Sequence, residues 1–572
     1  MAITVFPKTA STRPHVQITS NTDAITGNAS ASEKGLLLIG SANEGQPNVP
    51  FAIQNYAQAK SIFGGGDLLD AIEVAFNPSD SGISAGPIVA LRVGTATQAS
   101  YVNGGLTVTS LGYSKANNEI QVALRPNALT NDFDFQVAYQ PNKYNHYYTG
   151  LGNIFSISYT GAQKYASVEV QTDTNTGEAT KLILKTGADK ESATVAFSFA
   201  LGLGVYSQTA KLVDDINTID GFSAIYNNTG NKTQVLTSMY DALPETALST
   251  TGVNIQSLGG DIVNAINIGA DSAVSVSYDP KGGKPVAFDL TQLSGGSDGT
   301  VPQTWSGYLS TLLNQGGFYI VPLTDNSAIH AETVAFAENR SQEDNPTRVI
   351  VGGGINDTME QTLSRASALR SKRTVLIGCS GTRLMNDGTV KQLPGYMVAA
   401  MAGGIASGIP IGNSISKASL DLLDVDQKYT SSQLDMLDSQ GAVGIVYTRS
   451  RGNLSFRFTD DINTYANIDD PIAGLMSAGE AADFLTMSVK SMLDNTFLNV
   501  PITVGIASLI KAAIIELLTS SESVGMIEDF DESGISVSVT GNVANISFSV
   551  VPSLVLRNIF VNMDYTTETI AS

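Results

Sequence analysis

Two glycine triplets carry the strongest chemical signal in the sequence, because each precedes a predicted helix as a phosphate-binding loop does. Gly64 to Gly66 lie in SIFGGGDLLDAIEVAF (residues 61–76), and Gly352 to Gly354 lie in VIVGGGINDTMEQ. A dinucleotide site needs G-x-G-x-x-G directly after a strand, with the anion at the helix N-terminus. Both triplets lack the later glycine. We therefore expect tight turns, with a Rossmann-like nucleotide-dependent enzyme using Gly352 to Gly354 as the alternative.

Acidic residues in the first turn of each helix also argue against phosphate. Asp67 and Asp70 follow the first triplet, and Asp357 and Glu360 follow the second. Carboxylates at this position suit the helix dipole but repel a docking anion. The sequence therefore predicts no nucleotide cofactor.

Nucleophilic catalysis has few candidates, because the chain contains three histidines and one cysteine. His15 lies near the N-terminus, His146 lies in a Tyr/Asn-rich turn, and His330 begins an amphipathic helix with no G-x-S-x-G elbow downstream. We expect His330 to be solvated, and a degenerate subtilisin-like hydrolase is the alternative. Cys379 has no partner for an intrachain disulfide, which favours synthesis in a reducing cytoplasm.

Metal binding is not predicted either. No pair of His or Cys has the short spacing of a zinc site. Two acidic groups could offer oxygen ligands to calcium, but neither follows the 1, 3, 5 spacing of a calcium loop. We expect these residues to occupy exposed turns and helix caps: Asp421, Asp424 and Asp426, and Asp460 with Asp461.

Composition excludes further classes of function. The 572 residues carry a formal charge of −21 and no basic run, so neither nucleic acid nor an anionic membrane is an expected partner. No stretch approaches the ~18 apolar residues of a membrane span, and the first residues do not resemble a secretion signal. Only 15% of residues are charged, which suggests a surface covered by neutral polar groups or by other subunits.

Short apolar runs alternate with helical patterns in two parts of the chain, as in a parallel sheet. GLLLIG at 35–40 and PIVALRV at 87–93 flank the helix after Gly66. GFYIVPL from Gly317, RVIVGGG from Arg348 and TVLIG from Thr374 are separated by helices near 329–339 and 358–370. These segments predict an α/β core with an open, mostly parallel sheet and helices on both faces.

The region between these two parts alternates polar and apolar residues, which predicts a large antiparallel β-rich insertion that interrupts the core. Within it, the segments from Leu212 and Ile262 share a helix-then-strand pattern, either a weak duplication or a coincidence. Helices and alternating strands after Gly403 predict an α+β C-terminal domain. The predicted division is a 1–20 arm, 21–95 and 305–400 core, 96–304 insertion of one or two subdomains, 401–550 C-terminal domain and 551–572 arm.

Apolar residues recur with period two at both ends of the chain, in extended arms with little core of their own. Long strands of this kind have edges that need partners, and they suit strand addition between subunits. The predicted strand-exchange residues are Ile3, Val5, Val16, Ile18, Ile559, Val561, Met563 and Tyr565.

Several segments together resemble one family, the contractile tail sheath proteins of bacteriophages. The similarity begins with KGLLLIGSANEGQPNVPFAIQNYAQAKSIFGGG and SGISAGPIVALRV. It continues with MVAAMAGGIASGIPIGNSISKASL, YTSSQLDMLDSQGAVGIVY and ISFSVVPSLVLRNIFVNMDYT. It covers roughly residues 1–95 and 310–572, leaves the β-rich insertion out, and contains no catalytic residue.

The resemblance implies a structural protein rather than an enzyme. Its subunits would polymerise as stacked hexameric rings around the tail tube and contract to drive the tube through the host envelope. The implied partners are neighbouring sheath subunits, the tube, the baseplate and the tail terminator. The implied location is the virion, with assembly in the host cytoplasm, and a bacteriocin-type contractile sheath is a further alternative.

Overall fold

The computed structural model describes residues 2–3, 20–21, 34–227, 230–342, 345–450, 453–467, 469–552 and 555. The chain forms two compact units. One contains Met1–Gly94 and Val301–Ser572, and the other contains Thr95–Thr300.

The described residues contain twelve α-helices. In chain order they are α1 Tyr56–Phe63, α2 Asp67–Phe76, α3 Thr209–Ile216, α4 Leu258–Ile268, α5 Ser306–Ser310, α6 Ser327–Gln342, α7 Met359–Leu369, α8 Gly395–Gly408, α9 Ser431–Ser439, α10 Pro471–Gly474, α11 Met476–Thr496 and α12 Ile506–Ser523.

A central sheet organises the first unit, and within the described residues it has seven strands. Their order is Ala442–Val443, Thr374–Ile377, Arg348–Gly352, Tyr319–Pro322, Leu36–Gly40, Ile88–Arg92 and Pro50–Ile53. Neighbouring strands are parallel except for Pro50–Ile53, which runs antiparallel to Ile88–Arg92. Each apolar run that the sequence assigned to the core forms one of these strands.

Both faces of this sheet are buried. Successive side chains of a strand point to opposite faces, so neighbouring residues belong to different cores. Leu36 and Leu38 belong to a core that includes apolar residues of α2, α8, α11 and α12. Leu37 and Ile39 belong to a second core that includes residues of α5, α6, α7 and α9. The continuous apolar runs are thus explained by helices packed on both faces.

The first unit also contains smaller antiparallel sheets. Gly381–Leu384 pairs with Val390–Leu393 and Asp424–Val425, and Ile445–Ser450 pairs with Asn453–Phe458. Four further strands lie near the C-terminus and two near the N-terminus. They are Ile527–Phe530 with Val550–Pro552, Ser536–Thr540 with Val543–Ser547, and Ala2–Ile3 with Ser20–Asn21.

The Thr95–Thr300 unit contains two subdomains, one nested within the other, and six of the seven strands have the same order in both. The seventh, an edge strand, comes first in the outer subdomain (Ser100–Asn103) and last in the inner one (Val253–Gln256). The outer subdomain contains a three-stranded sheet in the order Val274–Tyr278, Leu106–Ser110, Ser100–Asn103. It also contains a four-stranded sheet in the order Tyr144–Leu151, Asp132–Tyr139, Ile120–Asn127, Phe288–Gln292. The inner subdomain contains a three-stranded sheet in the order Phe222–Tyr226, Asn153–Tyr159, Val253–Gln256. Its four-stranded sheet has the order Thr194–Ala200, Ala179–Gly187, Tyr165–Thr172, Leu243–Ala247. Each has its own apolar core, with α4 in the outer one and α3 in the inner one.

An asparagine at each helix end repeats the same contact. The Asn217 side chain after α3 accepts from the Ala224 amide at 2.7 Å and donates to its carbonyl at 3.0 Å. The Asn267 side chain in α4 accepts from the Val276 amide at 3.0 Å and donates to its carbonyl at 2.7 Å. The shared strand order and the shared asparagine contact favour duplication over coincidence.

Candidate subunit interface

The first glycine triplet is a turn between two helices. Gly64 ends α1 with φ of 67°, and Gly66 precedes α2 with φ of 91°, a backbone region that favours glycine. The amide of Leu68 in the first turn of α2 donates to the carbonyl of Ser41 at 2.8 Å. A Cβ atom on Gly66 would lie 3.0 Å from the Cα of Ala42. The chain itself therefore fills the space that a phosphate would need.

The acidic first turn of α2 has partners within the protein. The hydroxyl of Tyr396 donates to Asp67 at 3.0 Å, and Lys391 lies 2.9 Å from both carboxylate oxygens of Asp70. Burial raises the pKa of Asp67. Asp67 therefore links α2 to α8, and Asp70 links α2 to the strand Val390–Leu393.

The second triplet is covered by the start of α8. The amides of Gly395 and Tyr396 donate to the carbonyls of Gly354 and Gly353 at 3.3 and 3.0 Å. A Cβ atom on Gly352 would lie 2.1 Å from the carbonyl oxygen of Gly395. Glycine is needed here for close packing of the helix on the strand end.

The histidines and the cysteine do not assemble a catalytic site in the described residues. His15 lies outside those residues. His146 is exposed on the strand Tyr144–Leu151 rather than in a turn, and its Nδ1 lies 3.2 Å from the hydroxyl of Tyr144. Cys379 is buried, and burial raises the pKa of its thiol to about 12.

The expectation that His330 is solvated is wrong. Its side chain is fully buried at the start of α6, with Nε2 2.7 Å from the carbonyl oxygen of Thr324. Burial lowers the pKa of His330 to about 4, so the imidazole is neutral at pH 7. A buried neutral imidazole bound to a backbone carbonyl has a structural role.

The acidic groups do not converge on a common point. Asp421 pairs with Arg383 at 2.8 Å, Asp424 with Lys428 at 2.9 Å, and Asp426 accepts from the Ser380 hydroxyl at 2.8 Å. In the described part of the chain, no cluster of three or more His, Cys, Asp or Glu has the geometry to hold a metal ion.

Asp460 and Asp461 are buried, so the prediction of an exposed turn is wrong for this pair. Neither residue is the N-cap of a helix: Leu475 precedes α11, and Asp461 accepts from the Ser477 amide in the first turn of α11 at 3.0 Å from a separate segment of the chain. Burial, together with the charge of Asp460, raises the pKa of Asp461 to about 6.

The predicted strand-exchange residues fall almost entirely outside the described residues. Ile3 lies in the two-residue strand Ala2–Ile3, where it pairs with Ser20. The others lie outside the described ranges: Val5, Val16, Ile18, Ile559, Val561, Met563 and Tyr565.

The described C-terminal strands are short, which corrects the expectation of long strands. The hairpin Ser536–Thr540 with Val543–Ser547 and the pair Ile527–Phe530 with Val550–Pro552 form separate two-stranded sheets. Two-stranded sheets are marginally stable alone. Within the described residues, each of these sheets has two strands.

An apolar segment, residues 500–504, is exposed between α11 and α12. Val500 and Ile502 are about half exposed, and Val504 is fully exposed. Such an exposed run is typical of an interaction surface. The apolar and polar residues that alternate in VPITV are the sequence signal of this segment, which is not among the predicted interface residues.

No helix in the described ranges combines the length and hydrophobicity needed to cross a membrane. No protein-family model matches the sequence.

The fold is that of a sheath tail protein. The chain is similar to the sheath tail protein of Desulfitobacterium hafniense, with a TM-score of 0.51, 15% identity and coverage of 94% of this chain and 99% of that one. It is also similar to the sheath tail protein Lin1278 of Listeria innocua, with a TM-score of 0.51, 12% identity and coverage of 92% and 93%.

Sequence relatives come from phages. A relative in Enterococcus phage phiEF24C is 41% identical over 567 residues, covering 99% of each chain. The tail sheath protein of Staphylococcus phage Twort is 36% identical over 594 residues, covering 100% of each chain, and that of Bacillus phage SP01 is 30% identical over 465 residues, covering 81% of this chain and 79% of that one.

The chain therefore belongs to the tail sheath proteins of bacteriophages. This confirms the resemblance found in the sequence. It also makes the protein a structural component of the virion rather than an enzyme.

Proposed function

We propose that the chain polymerises as stacked hexameric rings around a tail tube, and that the polymer contracts to drive the tube through the host cell envelope. The observation that carries this proposal is the sequence identity of 41% and 36% to two tail sheath proteins, which extends over 99–100% of the chain. The partners in this proposal are neighbouring sheath subunits, the tube, the baseplate and the tail terminator. Assembly takes place in the host cytoplasm.

The subunits are joined through their chain ends in this proposal. The period-two residues Ile3, Val5, Val16, Ile18, Ile559, Val561, Met563 and Tyr565 add strands to sheets of neighbouring subunits. Two features support this arrangement: the two-stranded sheets near the C-terminus and the exposed apolar segment 500–504. The arms in this scheme are residues 1–20 and 551–572.

Each predicted domain has a different role in the proposed sheath. The α/β core (21–95 and 305–400) and the C-terminal domain (401–550) form the lattice, and the insertion (96–304) faces outward. Contraction is a repacking of nearly rigid subunits between two arrangements. The low charged fraction of 15% supports this mechanism, because neutral faces repack without leaving buried charges unpaired.

Electron microscopy of the purified full-length protein tests the proposal. Tubes with helical ridges and sixfold end views are expected. A chain that remains monomeric at concentrations where related sheaths polymerise would contradict it.

A further inference from the structure

Four adjacent strands of the central sheet begin with a polar side chain that contacts α11. Lys34 and Arg373 lie just before their strands, and Tyr319 and Arg348 are the first residues of theirs. The acidic residues of α11 that receive them are Glu480 and Asp483, one turn apart. We call this group the ionic clamp: Lys34, Tyr319, Arg348, Arg373, Glu480 and Asp483.

Glu480 is the centre of the first half of the clamp. Its carboxylate forms an ion pair with Lys34, and both side chains are almost fully buried. The hydroxyl of Tyr319 donates to Oε1 at 2.7 Å, and the amide of Gly412 donates to Oε2 at 3.1 Å. Three separate parts of the first unit therefore meet on one side chain of α11.

Asp483 is the centre of the second half of the ionic clamp. Arg348 donates to Oδ2 at 2.8 Å, while Arg373 binds both carboxylate oxygens at 2.9 Å. Although burial raises its pKa, Arg373 and Arg348 hold the pKa of Asp483 below its usual value. Bidentate pairs of this kind are strong and directional.

The position of the clamp along the chain suggests its role. Lys34 lies two residues before the first central strand, Leu36–Gly40. From α11 the chain continues into α12 and the C-terminal strands. The Lys34–Glu480 pair thus joins the start of the first central strand to the helix that leads into the C-terminal elements.

We propose that the ionic clamp transmits mechanical load between the N-terminal and C-terminal parts of the subunit. The inference rests on the proposed function, since a polymer joined through chain ends loads these two points. A pull that is transmitted along the chain to Lys34 acts on the end of the strand Leu36–Gly40. Without the clamp, it would shear the strand Leu36–Gly40 along its length, whereas the clamp passes the load to α11.

Removing one partner of a buried ion pair leaves an unpaired charge and destabilises the fold, whereas an apolar pair of similar volume often does not. The test variant is therefore the full-length double substitution Lys34→Met with Glu480→Leu. The matched control is Lys232→Met with Asp261→Leu, which replaces an equally buried ion pair inside the insertion. Tubes of each protein are sonicated for a fixed time, and their lengths are measured by electron microscopy.

We expect the tubes of the clamp variant to shorten by half or more relative to wild type, and those of the control to keep the wild-type length. Equal lengths for clamp variant and wild type, or equal shortening in the control, would overturn the inference. If this double variant does not fold, Lys34→Met with Glu480→Gln removes both charges, keeps a side-chain acceptor for the hydroxyl of Tyr319 and is judged by the same lengths. Absence of wild-type tubes would instead refute the proposed function, and the clamp with it.

Discussion

The amide of Thr95 donates to the carbonyl of Thr300 at 3.2 Å, and the amide of Thr300 donates to the Thr95 hydroxyl at 3.1 Å. The two ends of the 206-residue β-rich unit, Thr95 and Thr300, therefore lie side by side. Ends this close need only a short turn to join them.

We predict that a chain in which residues 96–299 are replaced by a short Gly/Ser linker folds, because the remaining unit has its own cores on both faces of the central sheet. Cooperative thermal unfolding followed by circular dichroism would check this. A deletion of the same size starting at residue 86 removes the strand Ile88–Arg92 and is expected not to fold. Loss of cooperative unfolding in the first variant would contradict the prediction.

Gly352 is expected to be intolerant of any side chain. A Cβ atom there would lie 2.1 Å from the Gly395 carbonyl oxygen, and backbone cannot move aside as a side chain can. Gly352→Ala should reduce the free energy of unfolding by about 1–3 kcal/mol, measured by urea denaturation. The control Gly307→Ala, in α5 with open space around it, should be neutral or slightly stabilising. Equal stability of Gly352→Ala and wild type would refute the packing role.

Five of the seven central strands were predicted because each is an apolar run bounded by turn residues, and burial on both faces requires such runs. Leu36–Gly40 and Tyr319–Pro322 are examples. The two outermost strands, Pro50–Ile53 and Ala442–Val443, were not predicted. The burial of His330 was not predictable, because the helix start that carries it looks amphipathic and only the surrounding tertiary structure covers the imidazole.

The nested repeat and the ionic clamp could not be predicted from the sequence, because both depend on contacts between distant parts of the chain. The nested repeat preserves the order of six strands and the contacts of Asn217 and Asn267 but little sequence. The ionic clamp joins Lys34 to Glu480, residues that are 446 positions apart in the chain, so no local sequence pattern predicts it. The interface residues at the chain ends were proposed from periodicity alone, and they remain a prediction.

His330 should make stability depend on pH. Its folded pKa of about 4 lies below the ordinary value of 6.5, so the unfolded chain binds the proton first as the pH falls. The stabilisation is complete above pH 6.5 and is lost as the pH falls towards 4, by about 2 kcal/mol at pH 5. Asp461 acts in the opposite direction, because its folded pKa is raised to about 6.

The difference between wild type and His330→Gln isolates the histidine, since Asp461 is present in both proteins. Urea midpoints measured from pH 7.5 to 5 should fall less steeply for the variant. Parallel curves for the two proteins would show that the buried imidazole does not titrate as its surroundings require.

Deleting either chain end should separate folding from polymerisation. Variants lacking the residues before Thr19 or after Val551 retain the central sheet, its helices and the ionic clamp, so we expect soluble folded monomers. Size-exclusion chromatography with light scattering measures the assembly state, and slow reaction of the buried Cys379 thiol with a disulfide reagent reports that the core is intact. The insertion-deleted chain is the matched control, because it loses many more residues yet keeps both ends and should still form tubes. Tubes of normal stability from either end-deleted variant would refute strand exchange, whereas monomers with a protected thiol would locate the lattice contacts at the chain ends.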